Sequence, residues 1–324
     1  MHSTYRAPAW LRWPGVSAGH AQTILAAKLT PCPRVKYRRE RWTTPDEDFI
    51  DVDFVDSPSP TAPIVVMFHG LEGSSRSHYA QALMHTLQRH GWMGAIPHFR
   101  GCSGEANRTR RAYHSGDAAE IDWIMHRFQA HYPNQKLYVA GISLGGNALL
   151  RWLGESPRQA QFVTRAAAVS APLDLMAGGH ALSRGFNHTV YTRLFLHTLK
   201  KKTLLKARQH PGLVNAQALR RARDLYEFDN LYTAPVHGYL NTEDYWQRAS
   251  AKTVLRQIQV PTLILNARND PFLPAQHLPH AHEVAPCVRL EQPDEGGHVG
   301  FVTGAFPGRL NWLPQRLLHF FEHG

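Results

Sequence analysis

Gly141-Ile142-Ser143-Leu144-Gly145 has the spacing G-x-S-x-G, and it stands between an apolar run, Leu137-Tyr138-Val139-Ala140, and a helix-forming run over 147–153. A serine on so tight a strand-to-helix turn needs small neighbours, because the backbone there is strained and bulky side chains would meet the adjacent strands. Gly141, Gly145 and Gly146 supply them. A serine hydroxyl is a weak nucleophile near neutral pH, so it needs a base within hydrogen-bond reach and a third group to hold that base. On this kind of turn the expected chain order is serine, then acid, then histidine. His298, in the glycine-flanked stretch Glu295-Gly296-Gly297-His298-Val299-Gly300, is the expected base. Asp270 closes the turn that follows the apolar run 262–266 and is the expected acid. Asp174, just past another strand-like run, is its chief rival; Asp294 and Glu295 lie too close to His298 in sequence.

Attack on an acyl carbon creates an oxyanion that preorganised N–H groups must receive. One is expected from Leu144, the residue after the serine. The second is expected from Leu71, in the loop Phe68-His69-Gly70-Leu71-Glu72-Gly73. Together these residues imply ester hydrolysis through an acyl-enzyme. An acyltransferase moving the acyl group from a thioester to an alcohol would use the same set, and a catalytically silent scaffold is the remaining alternative. No cofactor is implied. His277, His280 and His282 share no carboxylate or cysteine at a metal-ligand spacing, so no metal is expected.

The elements that must carry these residues follow from apolar periodicity. Segments 35–37 and 50–55 alternate apolar with polar residues on either side of Pro45-Asp46-Glu47-Asp48, which predicts two antiparallel strands. The run 64–68 is apolar without alternation, as a strand buried on both faces should be. Helices over 78–90, 117–131 and 144–154 then alternate with strands over 93–97, 137–141 and 166–170. Strands over 262–266 and 288–290 and a closing helix over 312–321 complete an α/β pattern with a mostly parallel, doubly wound sheet. About ninety residues separate Ser170 from Thr262, far more than the dozen or so that a parallel crossover requires. The expected organisation is a core of residues 1–170 and 261–324 with a helical cap inserted at 171–260. Tyr191, Leu194, Phe195 and Leu199, at helical spacing, are expected to cover an acyl pocket.

The 324 residues are 43% hydrophobic and 19% charged, the balance of a globular chain, and they carry a net charge of +11. The excess gathers at 34–41 and 200–223. No nucleic-acid motif accompanies it, so no nucleic-acid partner is expected. By itself the run Lys200-Lys201-Lys202 reads as a solvated helix end rather than a phosphate site. Set on the cap with Lys206 and Arg208, it would form a basic rim able to meet an anionic membrane surface. Three cysteines, Cys32, Cys102 and Cys287, fit neither a disulfide framework nor a zinc site. With no secretion signal and no long apolar stretch, the expected location is the cytoplasm. The oligomeric state is left open.

Several stretches together resemble the YheT-type branch of the α/β hydrolases. They are Trp10-Leu11, Gly19-His20-Ala21-Gln22-Thr23-Ile24, His69-Gly70-Leu71-Glu72-Gly73-Ser74, Phe99-Arg100-Gly101-Cys102-Ser103-Gly104 and Tyr113-His114-Ser115-Gly116. The Ser143 turn follows, with Thr233-Ala234-Pro235-Val236-His237-Gly238, Asp270-Pro271-Phe272 and Gly296-Gly297-His298-Val299-Gly300-Phe301. The resemblance covers nearly the whole chain. It implies the α/β-hydrolase fold, esterase activity on uncharged or lipid-like acyl esters, and a nucleophile, acid and histidine at Ser143, Asp270 and His298. Asn269 departs from the pattern, since relatives often carry a second aspartate before the acid.

Overall fold

A computed structural model describes residues 5–11 and 17–324. Eight strands form one sheet in the order β1 (Arg38–Thr43), β2 (Phe49–Val55), β4 (Met93–Pro97), β3 (Ile64–Phe68), β5 (Leu137–Ile142), β6 (Val163–Val169), β7 (Thr262–Leu265), β8 (Val288–Glu291). The pairs β1–β2 and β2–β4 are antiparallel, and every other neighbouring pair is parallel. The fold is the expected α/β type.

Alternate residues of the central strands feed two apolar layers, as a two-residue side-chain period dictates. Ile64, Val66, Phe68 and Val139 face helices α3 (Ala118–His131) and α4 (Leu144–Glu155), where Phe128 and Trp152 are buried. Val65, Met67, Tyr138 and Ala140 face helix α2 (His78–Arg89) and the C-terminal helix (Trp312–His323). An N-terminal helix, α1 (Ala18–Lys28), lies outside both layers and packs its Ala21, Leu25 and Ala26 against Leu11 and Val302.

The first strand differs from expectation: it spans 38–43, not 35–37. Its sequence, Arg-Arg-Glu-Arg-Trp-Thr, has no apolar alternation, because it is a sheet edge held by charge. Arg39 forks onto Asp53 and Arg41 onto Asp51, across the register that sets those residues opposite one another.

The residues between β6 and β7 contain no strand. They form α5 (Leu175–Leu182), a short helical stretch over 185–192 that runs straight into α6 (Arg193–Gln209), small helical turns between 216 and 236, and α7 (Thr242–Ala249). Two apolar clusters hold them together, one around Trp246 and Tyr245 and the other around Phe228, Leu219 and Tyr232. Asn147 of α4 ties this insertion to the core. Its amide donates to the carbonyls of Ser115 and Ala249, and its carbonyl accepts the Ala251 N–H. Among the described residues no helix is long and apolar enough to cross a membrane.

Candidate active site

Ser143 sits one residue beyond β5, a strand with parallel partners on both sides, and opens α4 with φ 53° and ψ −121°. A left-handed φ on a non-glycine residue persists only where its surroundings over-determine it. Here the surroundings leave no room for side chains: a Cβ at Gly141 would lie 2.5 Å from the Gly145 carbonyl oxygen, and one at Gly145 would lie 2.5 Å from that of His69. The turn is a sharp elbow that lifts the hydroxyl to the carboxyl edge of the sheet.

The structure brings the three residues expected from the sequence together. His298 Nε2 lies 2.9 Å from Ser143 Oγ, and its Nδ1 lies 2.9 Å from Asp270 Oδ2. The second Asp270 oxygen accepts the Phe272 N–H at 2.8 Å, so the buried carboxylate is fixed in rotation. Asp174 is placed elsewhere: it caps α5 by accepting the Ala177 N–H and faces His277 at 3.4 Å. His280 and His282 stack on one another.

The loop that carries His298 is strained, with positive φ at Gly296, Gly297 and Val299, and four consecutive amides in it are held by side chains. The Gly296 N–H donates to Gln22 Oε1 (2.7 Å), Gly297 to Asn269 Oδ1 (2.9 Å), His298 to Thr23 Oγ1 (2.8 Å) and Val299 to Ser170 Oγ (3.1 Å). Asn269 Nδ2 also donates to Gln22 Oε1 at 3.0 Å. The departure at Asn269 thus has a physical role, because an aspartate carboxylate has no N–H to give Gln22. In the sequence Gln22 and Thr23 carry no chemical signature beyond the resemblance. Nothing in the sequence joins them to a loop more than 270 residues away. Phe272 completes the setting by stacking its ring 4.0 Å from that of His298.

Leu71 and Leu144 line the same cavity as Ser143, and their N–H groups have no acceptor among the described residues. The Gly70 backbone comes so close that an added Cβ would sit 3.1 Å from Ser143 Cβ. His69 fixes this loop in one tautomer: its Nδ1–H donates to the Gly70 carbonyl, and its Nε2 accepts the Phe99 N–H. Burial pushes the His69 imidazole down to about 3, so it stays neutral and keeps both roles. Tyr79 accepts the Gly70 N–H; Tyr113 accepts the Glu72 N–H and donates back to its carboxylate.

Ser143, His298 and Leu144 line one side of a cavity of about 360 Å³. The insertion supplies much of the other side through Leu175, Leu182, Phe195, Leu199, Phe228 and Trp246. The expected basic rim is corrected here. Lys202 turns inward to Glu72 (2.8 Å), and Lys206 is buried and donates to the carbonyls of Thr109 and Arg111. Lys200 is bound to the carbonyls of Arg220 and Ala222. Of the five, Lys201 and Arg208 are the two that are exposed without a carboxylate partner among the described residues. The reason is helical geometry: successive residues turn by about 100°, so a lysine run is spread around the helix rather than along one edge.

A family model described as the alpha/beta hydrolase fold matches residues 63–305. The chain belongs to the α/β hydrolases. Within them it is similar to the YheT protein of Escherichia coli (strain K12), provisionally named an esterase, with 37% identity over 94% of this chain and 90% of that one. It is similar also to phospholipase ABHD3 of Mus musculus, with 27% identity over 94% of this chain and 76% of that one. Monoacylglycerol lipase of Saccharomyces cerevisiae is 27% identical over 88% of this chain and 63% of its own length. Among solved structures, the Pyrococcus furiosus esterase Pf2001 superposes with a TM-score of 0.56 at 16% identity, over 90% of this chain and 98% of that one. That likeness is one of fold.

Proposed function

We propose that this α/β hydrolase is a serine carboxylic ester hydrolase, acting through an acyl-enzyme on short- to medium-chain or lipid-like esters. The observation that carries the reading is the pair of 2.9 Å contacts from Ser143 through His298 to Asp270, beside a cavity with a largely apolar wall that Ser143 and His298 help to line. The esterase and lipase names of its relatives agree with it.

The steps follow from the geometry. A substrate carbonyl above Ser143 is attacked by Oγ as His298 Nε2 takes its proton. The imidazolium formed is stabilised by the Asp270 carboxylate at Nδ1, and the oxyanion is received by the N–H groups of Leu71 and Leu144. Collapse expels the alcohol, which leaves with the proton held by His298. Water, deprotonated by the same nitrogen, then releases the acid and restores the serine. The insertion, residues 171–260, acts as a cap that receives the acyl chain. The three thiols are unpaired and suit the reducing cytoplasm.

The test is a series of p-nitrophenyl esters of rising chain length with wild type and Ser143→Ala. Wild-type kcat/KM should rise about fourfold per methylene, from roughly 0.8 kcal/mol each, until the cavity is full. Ser143→Ala should lose turnover and labelling by a fluorophosphonate. Labelling of the alanine variant at the wild-type rate would remove Ser143 from the role.

A further inference from the structure

The net charge of the chain is +11, and almost all of it belongs to one segment of the insertion. Residues 175–223 hold ten of the 36 Lys and Arg and none of the 25 Asp and Glu, so the remainder of the chain is close to neutral. Lys200, Lys202 and Lys206 are spent on internal contacts. The other seven are exposed and have no acidic side chain within 4 Å among the described residues.

The same surface is apolar. Phe186, Val190 and Leu194, four residues apart, are 43%, 36% and 54% exposed, and Leu205 is 43% exposed. Along α6 a turn of about 100° per residue puts Arg193, Leu194, His197, Lys201, Leu205 and Arg208 within roughly a third of the circumference. Its opposite arc, Phe195, Leu199, Lys202 and Lys206, lines the cavity. Residues 220–223 lie against this helix, since Lys200 bonds the carbonyls of Arg220 and Ala222 and His188 faces the carbonyl of Arg223. Leu205 belongs to both surfaces: it is exposed and it lines the cavity, as do Gly104, Glu105 and Ala106 of the core, so the cavity opens between this face and residues 104–106.

We infer that the outer face of α6 and the turn before it is a docking surface for an anionic lipid bilayer, with the exposed apolar side chains entering the headgroup layer. A face with unpaired cations and interleaved large apolar groups fits a surface that offers both negative charge and hydrocarbon. A polyanion such as DNA offers only the first. Docked this way, the cavity opens toward the membrane. The inference rests on the proposed ester hydrolysis only for what passes through that opening.

The test is vesicle flotation of the whole chain, using phosphatidylcholine alone and with about 30% phosphatidylglycerol. Wild type should partition about tenfold or more in favour of the anionic vesicles, less so at high salt. The triple variant Arg193→Glu, Lys201→Glu, Arg208→Glu should lose that preference, while hydrolysis of a short, water-soluble ester stays at the wild-type rate. Phe186→Ser with Leu194→Ser should weaken partitioning several-fold and leave retention on duplex DNA unchanged. Equal partitioning onto both vesicles would overturn the inference. So would DNA affinity matching vesicle affinity in a form that the two serine substitutions do not separate. Ser143→Ala should bind vesicles as wild type does, so loss of the hydrolase reading and loss of the docking surface give different results.

Discussion

The two basic stretches of the chain end in opposite states. In β1, Arg38 reaches Asp56, Arg39 reaches Asp53, and Arg41 reaches both Asp51 and Glu105. In α6, Arg193, Lys201 and Arg208 reach no carboxylate among the described residues. The partners on the sheet side are themselves buried: Asp51 and Asp53 are almost fully enclosed, and Asp53 also accepts from Ser75 and His98. The same division runs through the whole molecule. Polar groups on the sheet side, the Ser143–His298–Asp270 chain included, are held by one another, whereas the insertion lines the cavity with apolar side chains and leaves seven of the ten cations of residues 175–223 open to solvent. A run of arginines therefore carries meaning only through what stands opposite it. The core supplies fixed geometry for chemistry, and the insertion supplies reach and contact.

The widest separation should come from two aspartates, one on each side. Asp270→Asn should lower kcat by about 10⁴ by the loss of the orienting charge. Asp174→Asn, on the insertion, should change it little; steady-state kinetics on one soluble ester compares them, and the reverse ranking would move the acid. A smaller effect is expected at Gln22, outside the cavity. Gln22→Ala removes the acceptor of the Gly296 N–H and of Asn269, loosening the loop that aims His298, so kcat should fall about ten- to a hundredfold with KM nearly unchanged. Equal losses in kcat and folding stability alone, without that split, would reduce Gln22 to a structural group.

Acid should destabilise the fold through its buried histidines. Burial holds His69 at about 3, His78 at about 4 and His114 at about 3, all below their ordinary value near 6.5. Each contributes stability that is present above 6.5 and is lost as pH falls toward its folded value, because the unfolded chain binds the proton first. Asp229, in the insertion, works the other way. Burial raises its carboxyl to about 6, so its contribution is lost as pH rises through that value. His237, in the insertion, is held down by burial in the same way, so the lowered histidines outnumber the raised acids Asp229, Asp117 and Glu120, and urea midpoints should fall between about pH 7 and pH 5, well above the usual carboxylate range. A flat midpoint over that interval would contradict the neutral state of these histidines. The smallest contrast is between Arg39→Gln, which leaves Asp53 short of a partner and should cost about 1 kcal/mol, and Arg193→Gln, which should stay within about 0.5 kcal/mol in the same urea titration.

The elbow at Ser143 was legible because five adjacent residues contain both the motif and the steric reason for it. The alternation of strands and helices along the chain was legible because apolar periodicity is a local property. What the sequence hid was pairing across distance. β1 lay three residues beyond the expected strand, since its stability comes from carboxylates on β2 rather than from its own alternation. The amide holders of the His298 loop sit in α1, at the far end of the chain. The lysine run in α6 looked like one patch until helical rotation divided it between solvent, Glu72 and a buried carbonyl cluster.

Phe272 is one of few places where the insertion meets the catalytic groups. One face of its ring lies on His298, and Tyr191 and Phe195 approach it edge-on from the insertion. Another is Glu72, beside Leu71, where Lys202 arrives, and a third is the Pro271 carbonyl, which accepts Asn187 Nδ2 at 2.7 Å. The groups of the core that aim the histidine come from α1, α2, Ser170 and the Asp270 turn. An insertion that touches the machinery at so few points can be lengthened, shortened or recast over generations without re-solving the problem of catalysis, provided an aromatic edge still meets residue 272 and a cation still meets residue 72. Divergence in what such enzymes accept should therefore accumulate between β6 and β7, while the elbow and its histidine stay in place.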